Sequence, residues 1–176
     1  MKFCSRCGGT VTRKTPHGDN RRRWVCDNCL AVHYQNPKIV VGCVPERDGQ
    51  ILLCKRAIEP RSGFWTVPAG FMELGESIGE GARRETREEA CAEVELGHLF
   101  ASVDVIEAGQ VHLFFTAKLI GGFAAGDETE DVALFAKDGI PWPEIAFLSG
   151  QFALEKFLED DGRNHGVHLK RIPHGE

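Results

Sequence analysis

Four cysteines near the start of the chain form two C-x-x-C pairs. Eighteen residues separate the first pair, Cys4 and Cys7, from the second, Cys26 and Cys29. Each pair can bring two sulfur atoms to one tetrahedral ion from a tight turn, and the spacing is typical of four-cysteine zinc sites. A redox pair or free buried thiols are the alternatives, but a redox C-x-x-C opens a helix beside a strand, and neither pair does so. The spacing therefore predicts a structural Zn²⁺, because four thiolates fill its coordination sphere.

The turns around these cysteines need unusual backbone angles. Gly8 and Gly9 can supply them in the first pair, and Asn28 is expected to do so in the second. His17 and His33 are possible substitute ligands, but a complete set of four cysteines does not require them. Residues 1–33 contain too few large apolar side chains for a core of their own, so they are predicted to form a small zinc ribbon.

A second group of residues suited to chemistry lies in the middle of the chain. Glu85, Glu88 and Glu89 stand at i, i+3 and i+4, so in a helix their side chains share one face. Like charges at this spacing destabilise a helix by roughly 0.2–0.5 kcal/mol per pair, so a compensating cation is expected. Arg83 and Arg87 point to the far side of this face and cannot fully supply it. Gathered carboxylates suit Mg²⁺ or Mn²⁺, and the alternative is a solvated helix face.

The segment before the carboxylates favours the metal site. Ala69 can present its backbone carbonyl beside the carboxylates, because Gly70 permits a close approach of the chain. Glu76 and Arg84 can form an ion pair that braces this loop against the helix. A turn, a carboxylate and a cation thus precede the cluster.

The spacing of these residues resembles the signature of the Nudix hydrolases, G-x5-E-x7-R-E-U-x-E-E-x-G-U, in which U is apolar. The resemblance covers residues 70–92, and every charged position agrees. Thr86 and Ala92 depart mildly at apolar positions, and Cys91 replaces the glycine that ends the helix. Residues 64–70 also resemble the strand that leads into the signature in this family.

The resemblance implies a fold, a reaction and roles for residues. The fold is an α/β/α sandwich around a mixed sheet, here expected over residues 37–176. Glu85 and Glu89 would be the principal Mg²⁺ ligands, Glu88 would assist, and the Ala69 carbonyl would complete the set. The reaction would be substitution by water at a phosphorus atom of a diphosphate, without a covalent enzyme intermediate.

Two further site candidates lie outside the signature. Many Nudix enzymes take a general base from elsewhere in the chain, and the acidic, glycine-rich loop of residues 121–131 can supply it. Glu128 is the first candidate and Asp131 the second; a solvated acidic loop is the alternative. Arg56, at the end of a predicted strand, can bind a phosphate of the substrate or lie free on the surface.

A zinc ribbon joined directly to a Nudix domain limits the resemblance to one group within the Nudix hydrolases. Residues 34–43 and 52–56 are similar to zinc-ribbon Nudix proteins that include the plant chloroplast FAD diphosphatase, which is also active on ADP-ribose. This implies a diphosphatase that yields AMP and the phosphorylated remainder of ADP-ribose or FAD. NADH pyrophosphatases also carry a ribbon and are an alternative, but the chain shares only Pro-Trp-Pro of their signature, at residues 141–143. A nucleic-acid-binding regulator with a ligand-sensing domain is another alternative, supported by residues 21–24 and opposed by the intact carboxylates.

Charge and hydropathy limit the expected partners. The 176 residues carry a net charge of −5, so nucleic acid is not expected as the main partner, because phosphate binding needs clustered cations. No stretch approaches the ~20 apolar residues of a membrane span, and the start lacks the apolar segment of a secretion signal. A cytoplasmic enzyme with a small nucleotide substrate is expected. A homodimer is the usual state of the family.

The elements that must position these residues follow from periodicity and turn signals. Ser77 and Glu80 form the spacing of a capping box, so a helix is predicted from there to about Ala92. The tail from residue 161 receives no prediction. The other predicted elements are a hairpin of residues 38–44 and 51–54, short extended pieces within 64–71, strands at 94–105, 111–119 and 132–135, and a helix at 150–160.

Overall fold

In a computed structural model, which describes residues 1–173, the chain divides into two compact units, residues 1–37 and the residues from Lys38 onward. The last three residues of the predicted hydrolase domain, 174–176, lie outside the described part. No helix among residues 1–173 has the length and apolar character needed to cross a membrane.

The N-terminal unit is a small antiparallel sheet. Its strands, in spatial order, are β1 (Val11–Lys14), β2 (Arg23–Cys26) and β3 (Val32–His33). Its buried cluster consists of Cys4, Val11 and Cys26, with a few partly buried neighbours. So small a cluster cannot stabilise a fold by apolar burial alone, which agrees with the expectation that a metal ion supports it.

The second unit is built on an eight-stranded mixed sheet. Its central path runs β10-β5-β4-β9-β8-β11, while β6 pairs with β5 and β7 pairs with β4. The β4–β9 and β8–β11 pairs are parallel, and the other pairs are antiparallel. The strands are β4 (Lys38–Arg47), β5 (Gln50–Arg56), β6 (Trp65–Thr66), β7 (Ala69–Phe71), β8 (Glu93–Val105), β9 (Gln110–Ile120), β10 (Thr129–Ala136) and β11 (His168–Ile172).

Two helices cover opposite faces of this sheet. They are α1 (Ile78–Ala90) and α2 (Leu148–Asp160). Successive side chains of a strand point to opposite faces, so Cys43 packs in the cluster of α1 while Val44 packs in the cluster of α2. The predicted α/β/α sandwich around a mixed sheet is therefore confirmed. Short 3₁₀ turns at Lys137–Gly139 and Trp142–Glu144 connect β10 to α2.

The capping box that was predicted for α1 is present. The Ser77 hydroxyl accepts a hydrogen bond from the Glu80 N–H at 3.3 Å, and the Glu80 carboxylate accepts one from the Ser77 N–H at 2.8 Å. The helix ends at Ala90, two residues before the predicted end.

The structure differs from the sequence prediction in two strands. The short strand predicted at residues 132–135 is longer, because β10 pairs with β5 from Thr129 to Ala136. The tail forms β11, which lies parallel to β8. Most β11 side chains are exposed, so this edge strand lacks the alternation of apolar residues that predicts a strand.

Candidate functional site

The four N-terminal cysteines come together in the structure. Their sulfur atoms lie within 4.8 Å of one another. Cys4 Sγ is 3.7 Å from Cys29 Sγ, and Cys7 Sγ is 3.5 Å from Cys26 Sγ. A tetrahedral zinc ion with bonds of about 2.3 Å requires sulfur atoms roughly 3.8 Å apart. The cluster thus has the size and donor type that zinc needs, and no other His, Cys, Asp or Glu group of three or more within residues 1–173 is so close together.

The two turns of the ribbon share one backbone geometry. Gly8 has φ of +72°, and its N–H donates to the Cys4 carbonyl at 2.9 Å. In the second turn the corresponding residue is Leu30, with φ of +59° and an N–H that donates to the Cys26 carbonyl at 3.2 Å. The expectation for Asn28 is therefore wrong. The left-handed residue follows the second cysteine of each pair rather than lying within the pair.

His33 lies beside the cluster although it is not one of the four ligands expected. Its Nε2 atom is 3.2 Å from Cys4 Sγ, which places a ring nitrogen within hydrogen-bonding distance of that sulfur. Backbone N–H groups also donate to sulfur, from Arg6 to Cys4 and from Cys29 to Cys26, each at 3.4 Å. Such bonds stabilise the thiolate form that binds a metal ion.

Purified protein is expected to contain one zinc ion per chain, measurable by elemental analysis. Cys7→Ser should abolish stoichiometric zinc and make residues 1–37 sensitive to proteolysis, because that unit buries little apolar surface. Cys91→Ser, a change of the same kind at an exposed cysteine outside the cluster, is the control. A zinc-free protein with a protease-resistant N-terminus would contradict the structural role.

The three glutamates of α1 differ in their exposure. Glu85 is 8% exposed, Glu89 is half-buried and Glu88 is exposed. Burial raises the pKa of Glu85. Burial also raises the pKa of Glu89 to about 8, and the charges of Glu85 and Glu128 add to this effect, while the Ala69 N–H and Arg56 oppose it. Within residues 1–173 Glu89 makes no ion pair, so its surroundings favour a cation that would compensate its charge.

The β7 backbone lies directly against two of these carboxylates. The Ala69 N–H donates to Glu89 Oε2 at 3.1 Å. A Cβ atom on Gly70 would lie 2.3 Å from the carboxyl carbon of Glu85, so only glycine permits this approach. The structure therefore brings Ala69 and Gly70 to the carboxylate face of α1.

Arg84 is the cation that compensates the cluster. Its Nη1 atom donates to Glu85 at 2.7 Å and to Glu88 at 3.0 Å. Its Nε and Nη2 atoms donate to the two oxygens of Glu76 at 3.0 and 2.8 Å, which chiefly lowers the pKa of Glu76 to about 2. Its Nη2 also donates to the Phe71 carbonyl at 2.9 Å, which ties the loop to the helix. Sequence reasoning assigned Arg84 to Glu76 alone.

The acidic loop closes the C-terminal end of α1. The Ala124 N–H donates to the Ala90 carbonyl at 2.9 Å, and the Gly126 N–H donates to the Glu89 carbonyl at 3.0 Å. These bonds satisfy carbonyl groups that a helix end leaves without an intrahelical partner. A Cβ atom on Gly126 would lie 1.7 Å from the Glu88 carbonyl oxygen, so this contact requires glycine.

The two candidate bases of this loop differ in their relation to the glutamates of α1. The Glu128 carbonyl accepts from the Ala57 N–H at 2.9 Å, and the charge of Glu128 contributes to the raised pKa of Glu89. Asp131 instead lies in β10 opposite Lys55, and its carboxylate accepts from the Val132 N–H at 2.8 Å. Of the two candidates, the structure relates Glu128 to the glutamates of α1.

The departures from the signature have local explanations. Thr86 is fully buried, and its hydroxyl donates to the Ala82 carbonyl one turn earlier at 2.8 Å, so it fits an apolar position. Ala92 is buried in the cluster beside α1. Cys91 occupies the left-handed region with φ of +44°, where the family has glycine.

Cys91→Gly is expected to stabilise the protein by about 1 kcal/mol, because the helix end requires a left-handed residue and glycine adopts that conformation without the Cβ clash. Thermal unfolding should shift upward by about 2–4 °C. Cys91→Ala removes the same thiol but keeps the Cβ atom, so it should give no such gain. An equal gain from both variants would mean that loss of the thiol, rather than backbone strain, is responsible.

A cleft of about 510 Å³ lies on the α2 side of the sheet, and the β7 backbone that contacts Glu85 and Glu89 forms part of its wall. Its lining includes Ala69 and Gly70 together with Arg56. The Arg56 guanidinium lies 5.0 Å from the centre of the Phe147 ring, donates from Nε to the Pro60 carbonyl at 3.0 Å, and lowers the pKa of Glu89 through its charge. Arg56 therefore lines the cleft and is near enough to Glu89 for its charge to act on that carboxylate. A second depression, of about 460 Å³, contains none of the predicted site residues.

Comparisons with known proteins identify the family. Residues 36–156 match the NUDIX domain. The chain belongs to the Nudix family. Residues 2–35 match the Nudix N-terminal zinc ribbon, so the prediction of a ribbon followed by a Nudix domain is confirmed. A NUDIX hydrolase from Nitrosomonas europaea has the same fold with a TM-score of 0.91 and 47% identity, over 98% of this chain and 99% of that one.

Two characterised Nudix relatives carry names that describe activities. The NAD-capped RNA hydrolase NudC of Vibrio vulnificus is 31% identical over 80% of this chain and 53% of its own length, so the chain spans about half of that relative. The ADP-ribose pyrophosphatase of Methanocaldococcus jannaschii is 33% identical over 65% of this chain and 69% of its own length. These names agree with the prediction that the chain is a hydrolase of a diphosphate bond.

Proposed function

We propose that the protein is a Mg²⁺- or Mn²⁺-dependent diphosphatase that converts ADP-ribose or FAD to AMP and the phosphorylated remainder. The observation that carries this proposal is that Ala69 and Gly70 line the cleft and also contact the α1 carboxylates. Glu89 is half-buried without an ion pair, and the cleft has the size of known small-ligand sites, about 300–1,000 Å³. Arg56 also lines the cleft, and its charge acts on Glu89.

In this proposal Glu85 and Glu89 are the principal ligands, Glu88 assists, and the Ala69 carbonyl completes the set. Their oxygen atoms are the donors that Mg²⁺ prefers. A bound divalent ion supplies charge neutralisation at the diphosphate oxygens and an acidified water. Glu89 must lose its proton before it binds the ion, and the Ala69 N–H, which donates to Oε2, holds its carboxylate in place.

Other residues of the chain position the site or move protons. Arg84 and Glu76 hold the β7 loop to the helix, and Gly70 gives Glu85 the space it occupies. Glu128 is proposed as the general base that accepts a proton from water, with Asp131 as the alternative. Arg56 is proposed to bind a phosphate, because it is a cation that lines the cleft and its charge acts on Glu89.

A second candidate substrate is NADH or an NAD-capped RNA. The name of the Vibrio relative supports it, and so does the charge of the ribbon unit. Residues 1–37 contain seven Lys and Arg but only two Asp and no Glu, whereas the rest of the chain contains 14 Lys and Arg and 24 Asp and Glu. A basic unit of this kind favours contact with a nucleic acid chain attached to the substrate.

Parallel turnover measurements test the proposal. ADP-ribose, FAD and NADH are each supplied to the zinc-loaded protein with Mg²⁺ and without it, in buffer free of chelators so that the ribbon keeps its zinc. We expect Mg²⁺-dependent release of AMP with ribose 5-phosphate or FMN, and no inorganic phosphate. Running the reaction in ¹⁸O-water shows which phosphorus atom is attacked. Binding of these nucleotides without turnover in any metal would favour the ligand-sensing regulator instead.

A homodimer and a cytoplasmic location belong to the same proposal through the resemblance to the family. Sedimentation velocity of the zinc-loaded protein measures the first of these directly. A monomer that turns over ADP-ribose at full rate would remove the dimer from the proposal and leave the activity in place.

A further inference from the structure

We propose that Gln110, His112 and Ser149 form a hydrogen-bonded network in the cleft that recognises the adenine base of the substrate. All three residues line the cleft, yet they lie outside the signature and on two different elements, β9 and the first turn of α2. The inference rests on the proposed function, because it assigns the part of the cleft that the diphosphate does not occupy.

The network fixes the orientation of every member. His112 Nε2 is 2.8 Å from Gln110 Oε1, and His112 Nδ1 is 2.9 Å from Ser149 Oγ. The amide oxygen of Gln110 can only accept, so Nε2 carries the ring proton and Nδ1 accepts the proton of the Ser149 hydroxyl. Burial lowers the pKa of His112 to about 4, so the ring is neutral at physiological pH.

A neutral network suits an uncharged part of the substrate. Among residues 1–173, the only charged residues that line the cleft are Arg56 and Arg61, and neither belongs to the network. Phosphate groups are recognised by cations, whereas fixed neutral donors and acceptors recognise the edge of a base. The network is therefore assigned to the nucleoside rather than to the diphosphate.

Two hydrogen-bonding groups of the network stay available to a ligand. The Gln110 amide nitrogen makes no hydrogen bond within the described part of the chain, and it offers N–H donors. The Ser149 hydroxyl donates its hydrogen bond to His112, so its oxygen lone pairs can still accept one. One donor and one acceptor complement the adenine edge, which presents a ring nitrogen acceptor beside an amino donor.

Aromatic rings in the same cleft strengthen the assignment. Phe71 and Phe147 both line the cleft, and Phe71 is 48% exposed. An exposed ring beside a set of neutral donors is suited to stacking on a nucleobase, which adds affinity without selecting among bases. Selectivity would then come from the network.

The alternative is that these bonds only hold α2 against β9. Comparing nucleotides that carry different bases distinguishes this structural role from base recognition. Calorimetry in Mg²⁺ measures binding of AMP, IMP and ribose 5-phosphate to the zinc-loaded protein. IMP carries an oxo group and a ring N–H where AMP has an amino group and a bare ring nitrogen. We expect wild-type protein to bind AMP at least tenfold more tightly than IMP, as expected for at least one lost hydrogen bond in a desolvated site.

Gln110→Leu keeps the side-chain volume but removes the donor and should reduce this preference to less than threefold. The preference in kcat/KM for ADP-ribose over its hypoxanthine analogue should fall in parallel. This fall should come from a higher KM for ADP-ribose. Gln151→Leu is the matched control, because Gln151 lies on α2 outside the cleft and bonds to Glu155. It should leave the preference at the wild-type value.

The outcomes distinguish this inference from the proposed function. The inference would be overturned if wild-type protein bound AMP and IMP equally tightly, or if it bound neither nucleotide. Either result would count whatever the turnover of the diphosphate substrate. An equal loss for both nucleotides in Gln110→Leu would also overturn it, since fastening α2 would then explain the bonds. If AMP preference is present and depends on Gln110 while no diphosphate is hydrolysed, the proposed function fails and the inference stands.

Discussion

Glu89→Gln is expected to lower turnover of the diphosphate substrate about a thousandfold at saturating Mg²⁺. The variant loses a negatively charged metal ligand, and a bound ion contributes several kcal/mol to phosphoryl-transfer chemistry, at 1.36 kcal/mol per factor of ten. Glu159→Gln makes the same change on an exposed face of α2 and should leave the rate unchanged. Near-normal turnover of Glu89→Gln in saturating Mg²⁺ would remove Glu89 from the metal site.

The same substitution is expected to stabilise the metal-free protein. The folded-state pKa of Glu89 is raised from 4.5 to about 8, so the folded chain binds more protons than the unfolded chain between these values. Stability of the Mg²⁺-free wild type should therefore fall as the pH rises from 4.5 to 8, by less than the limit of about 1.4 kcal/mol per pH unit for one proton, because Glu89 is only half-buried. Gln carries no charge, so the variant should lack this part of the pH dependence. It should match the wild type near pH 4.5 and exceed it at pH 8.

Thermal unfolding in Mg²⁺-free buffer at several pH values measures this difference. The zinc-loaded ribbon is kept identical in both proteins, so that only the α1 face changes. Parallel curves for wild type and Glu89→Gln would mean that the carboxylate is not held in the unfavourable environment that the structure shows. A raised stability together with a lost activity is the expected signature of a functional, rather than a structural, residue.

The sequence predicted that the four cysteines come together and that three glutamates lie on one helix, because both features depend on short-range spacing. A C-x-x-C pair and carboxylates at i, i+3 and i+4 become neighbours through local backbone geometry alone. The capping box at Ser77 is equally local, and it was found where predicted. The close approach of the backbone at Gly70 to the carboxylates was also predicted correctly, because such an approach requires glycine.

Features that depend on contacts distant in sequence were not predictable. His112 and Ser149 meet through the packing of α2 on the sheet, and no spacing in the sequence relates them. The i,i+4 spacing of Arg84 and Glu88 would have allowed their ion pair to be predicted, whereas the simultaneous bonds of one guanidinium to Glu76, Glu85 and Glu88 depend on the loop that carries Glu76. Leu30 adopts a positive φ because the ribbon turn demands it, against the preference of leucine.

The net charge of the whole chain does not show that the two units differ in charge. The net charge of −5 argued against nucleic acid, yet the cations of residues 1–37 outnumber its acidic residues seven to two. Locating the boundary between the units was needed before the charge of each could be compared. Residues 1–33 already contain all seven of these cations and both acidic residues, so the sequence alone weakens the argument against nucleic acid as a partner.

Glu128→Gln is expected to lower kcat by about 10²- to 10⁴-fold, the usual contribution of a general base, while binding of AMP in Mg²⁺ changes little. The charge of Glu128 acts on Glu89, and the Glu128 carbonyl accepts a hydrogen bond from the Ala57 N–H, which is why Glu128 is the first candidate tested. The amide keeps the shape of the side chain but cannot accept a proton from water. Stopped-time assays at saturating substrate and metal, with calorimetry of AMP, separate the two effects.

Glu130→Gln is the matched control, because Glu130 lies two residues away, is exposed and pairs with Lys55 at 3.6 Å. Its rate should stay near that of the wild type. Asp131→Asn tests the alternative base, and a rate lost there but kept in Glu128→Gln would move the assignment by three residues. If neither variant loses activity, the loop serves only to cap the end of α1 through Ala124 and Gly126. The proton of water would then have to pass to a carboxylate of α1 itself.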